Sequence, residues 1–325
     1  MNVRHLSFRL LQVYVQVVRS GTVSAAARAL HLTQPTVSLQ LKNLKEAINE
    51  PLFEVNNGKM VVTHVGDELY RAACDVLGRF DDFNDFLKEA RHGQSGHINI
   101  GIVTTAKYIL PRILGAFYHQ SPKIGVTIHI GNRARIIERL SQQEDDLYLF
   151  SHPPSGNHVN ACRILKNPLQ MIAPQGHWAT KTKNLTFSDL SNERFLIREP
   201  GSATRMIFEA WLSSNGFELG NTMQIESNEA ICLSVASGLG LSVISEHTLL
   251  EGREKLAVLP IEGFPLLSNW YLVNRKDRRT SYATEQLVQF MAEDLKNCVK
   301  PAWVADDIEL ALSDFLQKSR AEEKE

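Results

Sequence analysis

One predicted helix carries polar side chains that could hydrogen-bond to the edges of bases. Thr33 is a good N-cap, and Pro35 lies in the first helical turn, where its missing N–H costs little. Val37, Leu41 and Leu44 follow with helical spacing, so this side should face a core. The opposite face suits a helix lying in a DNA major groove; it comprises Gln34, Thr36, Ser38, Leu39 and Lys42. A plain solvated helix face has the same pattern, so the motif needs support from its surroundings.

A second group of residues could bind a small anion. Gly201, Ser202 and Thr204 open a predicted helix directly after the predicted strand Phe195–Ile197. Free backbone N–H groups, hydroxyls and the positive end of a helix dipole make such a turn an anion site. Other polar turns in this half of the chain also follow strands or open helices, which predicts one shared effector site. Its predicted residues are Thr104, Thr105, Asn132, Arg133, Arg135, Arg198, Glu199, Ser202, Thr204, Arg205, Asn228 and Glu229. Taken singly, each turn is better explained by a capped helix or a structural ion pair.

The elements around the first motif strengthen the prediction of DNA binding. Val23–Leu30 is Ala-rich and predicts a short helix that another helix can approach closely. Leu52–Val55 and Met60–Thr63 flank Asn56-Asn57-Gly58-Lys59, which is a strong hairpin signal. A helix-turn-helix followed by a two-stranded wing is more specific for DNA than any single part. The predicted DNA-binding residues are Ser24, Thr33, Gln34, Pro35, Thr36, Ser38, Leu39, Lys42 and Lys59.

A long helix is predicted from Val65 to Ala90. Its apolar residues are spaced nearly as a heptad seam, at Val65, Leu69, Ala73, Val76, Phe80, Phe83 and Leu87. An ordinary helix on a local core would show similar spacing. We favour pairing of two chains, because DNA sites are commonly read as two half-sites by a two-fold protein.

The remainder of the chain alternates strands with helices, which indicates an α/β fold that binds ligands at the carboxyl ends of its strands. Breaks near Asn167-Pro168 and Gly263-Phe264-Pro265 would divide it into two lobes with a cleft between them. Helices are predicted near Leu110–Tyr118 and Ile136–Gln142. Strands are predicted at His97–Val103, Val126–Ile130, Leu147–Phe150, Leu169–Ala173, Phe195–Ile197, Met223–Ile225, Ser242–Ile244, Leu256–Leu259 and Trp270–Val273.

Composition excludes several classes of protein. The 325 residues contain no apolar run long enough to cross a bilayer. The four cysteines lie far apart, which argues against a zinc site, a cluster or a disulfide framework and fits the reducing cytosol. The net charge of −1 conceals an excess of four positive charges within residues 1–60, as expected of a module that binds a polyanion.

The N-terminus also has the layout of a secretory signal, with basic residues before the apolar stretch Leu10–Val18. Gln12 and Gln16 interrupt that stretch. The apolar residues instead mark one face of an amphipathic helix, with Leu11, Val15 and Val18 at helical spacing. We therefore expect a folded first helix and a cytoplasmic protein.

The stretch from Phe8 to Gly66 resembles the N-terminal domain of LysR-type transcriptional regulators. The matching residues are Ser24-x-Ala26-Ala27-x-x-Leu30-His31-Leu32-Thr33-Gln34-Pro35-Thr36-Val37-Ser38-x-Gln40-Leu41-x-x-Leu44, Pro51-Leu52-Phe53-Glu54 and Thr63-x-x-Gly66. In that family the residues matching Gln34, Pro35, Ser38 and Leu39 approach bases. Many members carry a basic residue at the position of Leu39, so the resemblance implies an altered sequence preference here.

The segment from about Val103 to Val273 is similar to the effector domains of LysR members that regulate Rubisco and carbon-fixation operons. The resemblance is carried by Thr104-x-Ala106-Lys107-Tyr108, Asn132-Arg133-Ala134-x-Ile136-Ile137-Glu138-Arg139-Leu140, Arg198–Arg205, Ser227-Asn228-Glu229-Ala230-Ile231 and Gly238-Leu239-Gly240-Leu241. It implies a phosphorylated metabolite or a nicotinamide nucleotide as effector. The chain has Cys232-Leu233 and Ser245-Glu246-His247 where relatives tend to have Lys-Gln and Ser-Arg-His, and Ala203 where Gly is usual. The loss of positive charge favours a smaller anion.

These observations predict an all-α winged helix-turn-helix head and a long linker helix, joined to a two-lobed α/β domain like a periplasmic binding protein. The predicted boundaries are 1–64 for the head, 65–92 for the linker and 93–298 for the effector domain, followed by a C-terminal extension at 299–325. Lobe I would take 93–168 and 266–298, and lobe II 169–265. Ile308, Leu312 and Phe315 predict a terminal helix in the extension.

The predicted function is a LysR-type regulator whose binding to promoter DNA responds to a small anion in the interlobe cleft. Its expected partners are double-stranded DNA, further copies of the chain as a homodimer or homotetramer, and RNA polymerase, without a membrane. No cofactor, metal or catalytic residue is predicted, because the motifs of common hydrolases, P-loops and dinucleotide sites are absent. The alternatives are a solute-binding protein and a small-molecule enzyme, for which Cys232 and His247 are the candidate nucleophile pair.

Overall fold

The computed structural model describes residues 6–56, 59–92, 95–156, 158–250, 253–276, 278 and 280–321. The chain divides into two compact units, residues 1–93 and residues 94–325. Several predicted features lie outside the described residues: the turn residues Asn57 and Gly58, the linker residues Gly93 and Gln94, the charged tail 322–325 and the side chain of Lys59.

The described residues of the first unit form four helices and a two-stranded wing, in agreement with the predicted fold. Ser7, Thr22 and Thr33 each cap a helix by accepting a backbone N–H, so the polar residues of the sequence set where the helices begin. The strands of the wing pair antiparallel, with Phe53 opposite Val62 and Asn56 opposite Lys59. The elements are α1 (Phe8–Ser20), α2 (Val23–Ala29), α3 (Gln34–Ile48), β1 (Phe53–Asn56), β2 (Lys59–Val62) and α4 (His64–His92).

The core of this unit fixes the outward face of α3. Val37 and Leu44 on α3 have no exposed surface, and Ala26 and Ala27 on α2 let the two helices approach each other closely. Val13, Val17 and Tyr14 of α1 complete the packing. The apolar stripe of α3 is thus turned inward, and its polar side must face outward.

The long helix α4 is buried against the head at its start and more exposed farther along. In its first turns, Tyr70 and Ala73 are buried against α1, and the hydroxyl of Tyr14 donates to the carbonyl of Gly66 at 2.8 Å. The predicted seam therefore begins as part of the local core. Farther along, Phe80 and Phe83 are 57% and 55% exposed, so the later half of the seam remains available to another chain.

The second unit contains two five-stranded mixed sheets, one in each lobe. Lobe I has the order β4-β3-β5-β12-β6 and lobe II the order β11-β7-β10-β8-β9. The chain crosses between the lobes at Asn167-Pro168 and again in the segment that contains the cis Phe264-Pro265 bond, close to the two breaks predicted from the sequence. The strands are β3 (Gly96–Val103), β4 (Ile124–Gly131), β5 (Leu147–Phe150), β6 (Val159–Lys166), β7 (Leu169–Pro174), β8 (Arg194–Ile197), β9 (Asn221–Gln224), β10 (Leu241–Ser245), β11 (Leu256–Val258) and β12 (Asn269–Arg275).

The helices of this unit follow the strands and cover the sheets. They are α5 (Leu110–Gln120), α6 (Arg133–Ser141), α7 (Ala203–Ser214), α8 (Asn228–Ala236), α9 (Tyr282–Cys298) and α10 (Ile308–Ala321). Strand β6 and helix α9 are absent from the sequence-based prediction. In β6 the inward positions alternate as Asn160, Cys162 and Ile164, so a buried polar residue hides the usual apolar alternation.

The C-terminal extension is an integral part of lobe I rather than a separate segment. Ile308, Leu312 and Phe315 of α10 are buried in the core of that lobe, as the predicted helix face requires. The side-chain amide of Asn160 donates to the carbonyl of Phe315 at 3.0 Å. Among the helices that the structure describes, none is both long and apolar enough to cross a membrane.

Candidate DNA interface and ligand pocket

The outward face of α3 presents the predicted DNA-binding residues to solvent. Gln34, Pro35, Ser38, Leu39 and Lys42 are exposed, whereas Thr36 is half-buried. The structure therefore brings these side chains onto one accessible surface, which the described residues of the same unit leave uncovered. A helix presented in this way can enter the major groove with its N-terminal residues toward the bases.

The N-terminal turn of α3 is held in place by short polar contacts. Thr33 caps the helix at the backbone N–H of Thr36, and the two threonine hydroxyls lie 2.8 Å apart. The hydroxyl of Ser24 on α2 donates to the side-chain oxygen of Gln34 at 3.3 Å. These contacts fix the start of α3 relative to α2, which is the part of the motif that must keep its register on DNA.

The second site is a pocket between the two lobes, at the carboxyl ends of their strands. Three of the four predicted polar turns meet here. The lining residues are Val103, Thr104, Thr105, Asn132, Arg133, Phe150, Ser151, His152, Arg198, Glu199, Ser202, Ala203 and Thr204.

The start of α7 supplies hydrogen-bond donors to this pocket. Gly201, at a φ of +83°, allows the chain to turn sharply into the helix. The side chain of Ser202 does not cap α7, although the residue is buried, and Thr204 in the first turn is buried as well. Backbone N–H groups at a helix start and two nearby hydroxyls form the type of cradle that binds an oxyanion.

Arg133 lines the pocket and has no carboxylate partner among the described side chains. It opens helix α6 in lobe I, and its Nε donates to the carbonyl of His152 at 3.1 Å. Burial lowers the pKa of the Arg133 guanidinium, but arginine stays charged at neutral pH. A partly desolvated and uncompensated positive charge favours an anionic ligand.

Arg198 is differently placed, because its charge is already compensated. Its guanidinium is buried and bonds both carboxylate oxygens of Glu199, at 2.7 and 2.9 Å, and it also donates to the side-chain oxygen of Asn228. Glu199 itself lines the pocket. Arg198 lies in the pocket wall as predicted, but its pairing with Glu199 means that the two side chains together add no net charge.

Other predicted effector residues lie outside the pocket lining. Arg135 forms an ion pair with Glu138 on the same helix, with 2.7 Å between the nitrogen and oxygen atoms. Arg205 forms one with Glu209 on α7 at 2.6 Å. In both cases a carboxylate one helical turn away draws the long side chain along the helix surface. These two arginines therefore do not line the site that their sequence positions predicted.

The fourth predicted turn joins the lobes beside the pocket. Asn228 donates to the hydroxyl of Thr105 at 3.4 Å, and Glu229 forms an ion pair with Lys107 at 2.5 Å. Burial opposes ionisation of Glu229, yet the bond from Lys107 brings its pKa down to about 2. These contacts link lobe II to lobe I. Asn228 also accepts a hydrogen bond from Arg198 in the pocket wall.

The prediction overlooked the turn after β5. Phe150, Ser151 and His152 line the pocket directly behind the end of that strand. The rule that identified the other turns, polar residues at the carboxyl end of a strand, applies equally to Ser151 and His152. Unlike the other turns that line the pocket, the turn at Ser151 and His152 has no adjacent glycine, lysine or arginine that would mark it as an anion site.

The candidate nucleophile pair does not have the properties that catalysis needs. Burial and the charge of Glu229 raise the pKa of the Cys232 thiol to about 11. His247 has no exposed surface, and its Nε2 donates to the carbonyl of Lys166 at 3.0 Å. A thiol with a raised pKa is a poor nucleophile. Within the described part of the chain, no group of three His, Cys, Asp or Glu residues could hold a metal ion.

Two family models match the chain in adjoining segments. The bacterial regulatory helix-turn-helix protein of the lysR family matches residues 8–67, and the LysR substrate binding domain matches residues 91–296. The chain belongs to the LysR family. It is accordingly a DNA-binding transcriptional regulator whose second unit is an effector domain, and not an enzyme or a solute-binding protein of transport.

Named relatives of the regulator are similar over nearly their whole length. The transcriptional activator CmpR of Synechocystis is 37% identical over 89% of this chain and 95% of its own. The RuBisCO operon transcriptional regulator of Acidithiobacillus ferrooxidans is 35% identical over 90% and 95%, respectively. Among solved structures, the Synechocystis CcmR regulatory domain in complex with 2-PG is 34% identical, with a TM-score of 0.58 over 61% of this chain and 96% of that one.

Proposed function

We propose that the regulator controls carbon-fixation genes and that its effector is a small phosphorylated carboxylate bound between the lobes. The observation that carries the proposal is the pairing of two anion-binding devices in one pocket. Arg133 of lobe I supplies an uncompensated positive charge, and the start of α7 in lobe II supplies backbone and hydroxyl donors. A dianion such as a phosphate monoester needs both charge and several donors.

The relatives support the chemical class of the effector. CcmR, similar over the effector domain, is described in complex with 2-PG, which is 2-phosphoglycolate. Relatives similar over nearly the full length include the RuBisCO operon transcriptional regulator of Acidithiobacillus ferrooxidans and the transcriptional activator CmpR of Synechocystis.

Binding would couple the pocket to DNA through the positions of the lobes. A ligand held at once by α6 of lobe I and α7 of lobe II interacts differently with different lobe separations, and only such differential affinity can shift a conformational equilibrium. We propose that two chains pair through the exposed later part of the α4 seam and place two heads on inverted half-sites. Further association to a tetramer is compatible with the same scheme.

Calorimetry with the full-length chain tests the effector. We expect 2-phosphoglycolate to bind and glycolate, which lacks the phosphate, to bind at least 100-fold more weakly, roughly the 3 kcal/mol of a lost charge-assisted network. Arg133→Gln should abolish most of the affinity. Arg135→Gln is the matched control, because this neighbouring arginine pairs with Glu138 and does not line the pocket. Equal loss in both variants, or equal binding of glycolate, would remove the phosphate site from this pocket.

Mobility shifts on the DNA upstream of the regulator's own gene test the promoter function. The wild-type chain should retard this fragment, and Ser38→Ala or Pro35→Ala should weaken the complex while leaving the thermal unfolding of the chain unchanged. 2-Phosphoglycolate should alter the affinity or the footprint of the wild type. A complex that is insensitive to every phosphorylated acid would leave DNA binding intact and refute the effector.

A further inference from the structure

The DNA-facing surface of α3 includes a large, exposed aliphatic side chain, that of Leu39. Leu39 is 58% exposed, one turn beyond Pro35 and one turn before Lys42. The helix buries Val37 and Leu44 on its other side, and with 3.6 residues per turn Leu39 points away from both. It therefore stands near the middle of the surface that α3 offers to DNA.

Packing within the unit does not account for Leu39. The apolar clusters formed by the described residues of the head include Leu41 and Leu44 of the same helix, but not Leu39. A single exposed leucine is ordinary on a protein surface that stays in water. This leucine lies on a surface that loses its water when the helix enters a groove. The free energy of burying its side chain therefore depends on which base group it contacts.

The major groove offers such a side chain one matching group. Guanine, cytosine and adenine present hydrogen-bond donors and acceptors, whereas thymine adds an apolar C5-methyl. Leucine has neither donor nor acceptor and would leave a polar base edge desolvated and unpaired. We propose that Leu39 determines sequence specificity by packing its isobutyl group on the methyl of one thymine in each half-site. The proposal rests on the DNA-binding function of the family and is independent of the effector.

Replacing thymine by uracil tests this contact, because uracil differs from thymine only by the missing methyl. A duplex is first selected by the wild-type chain from a randomised library, and each thymine of one half-site is then exchanged singly for uracil. We expect one exchange to weaken wild-type binding about four-fold, the loss equivalent to one buried methylene-sized group. Leu39→Ala should bind the thymine and uracil duplexes equally.

Two further variants make the result specific. Val55→Ala removes another exposed apolar side chain of the head, 80% exposed on β1, and should keep the wild-type sensitivity to uracil. Leu39→Arg should move the preferred base at the same position from thymine to guanine, the usual partner of arginine in the major groove. The proposal is overturned if no uracil exchange affects the wild type, if Leu39→Ala retains the four-fold difference, or if Leu39→Arg still selects thymine.

Discussion

A buried histidine should make the stability of the effector unit depend strongly on pH. His247 has no exposed surface, and its ring packs edge-on against Trp303, with 4.1 Å between ring centroids. Its Nε2 donates to a carbonyl, while its Nδ1 is buried without a hydrogen-bond partner among the described residues. Protonation would place a second N–H and a positive charge where nothing accepts them. Burial therefore lowers the pKa of His247 to about 4.

The sign and size of the effect follow from linkage. In the unfolded chain His247 titrates at its ordinary value near 6.5. Between pH 6.5 and 4 the unfolded chain holds a proton that the folded chain lacks, so stability is full above this window and falls as the pH falls through it. The slope approaches about 1.4 kcal/mol per pH unit, which gives a loss of about 2 kcal/mol from this group between pH 7 and pH 4.5.

Urea unfolding followed by tryptophan fluorescence measures this loss in the full-length chain. All four tryptophans lie in the second unit, so the signal reports on that unit alone. The free energy of unfolding of the wild type should fall by about 2 kcal/mol more than that of His247→Gln over the same pH range. His119→Gln, which changes an exposed histidine on α5, should keep the wild-type slope. Parallel curves for the wild type and His247→Gln would refute the buried neutral imidazole.

Three further predictions concern other parts of the fold. Phe315→Ala should lower the free energy of unfolding of the second unit by about 3–5 kcal/mol because it leaves a cavity in lobe I; Leu310→Ala on the same helix, 75% exposed, should change it by less than about 0.5 kcal/mol. Gly66→Ala should destabilise the head by about 1–3 kcal/mol in thermal melts, because a Cβ would overlap the carbonyl of Leu52. Gly78→Ala, with open space around it on the same helix, should instead stabilise the head by about 0.5–1 kcal/mol, and equal effects of the two changes would contradict the packing described. Glu199→Gln should tighten 2-phosphoglycolate binding in calorimetry while lowering the melting temperature, because it removes a negative charge from the pocket and a partner from a buried pair; weaker binding would show that the pocket does not select anions.

Local signals predicted the head closely, because caps, a glycine turn and a strong hairpin motif each act over a few residues. The limits of α3 and the pairing of the wing follow directly from Thr33, Pro35 and the residues around Asn56. The division of the second unit into lobes was also predictable, since it depends on two breaks in the sequence.

Side-chain partnerships within the pocket were less predictable. Four arginines at turns were treated alike, but Glu138, Glu199 and Glu209 engage three of them. These carboxylates are near neighbours in the sequence, but spacing alone does not decide whether an arginine side chain turns to such a neighbour or to the pocket. Strand β6 was missed because its buried Asn160 is polar. Asn160 is acceptable in the core because Asn274 and Phe315, both far along the chain, accept hydrogen bonds from its side-chain amide.

The double crossing of the chain between the lobes has a consequence for synthesis on the ribosome. Lobe II is one continuous segment and can form its sheet as soon as residue 258 has emerged. Lobe I begins earlier but must wait, since β12 inserts between β5 and β6, and α10 closes the core only at the end. Until then the nascent polypeptide exposes an incomplete sheet. We therefore expect chains stalled before β12 to show a protease-resistant lobe II and a protease-sensitive lobe I.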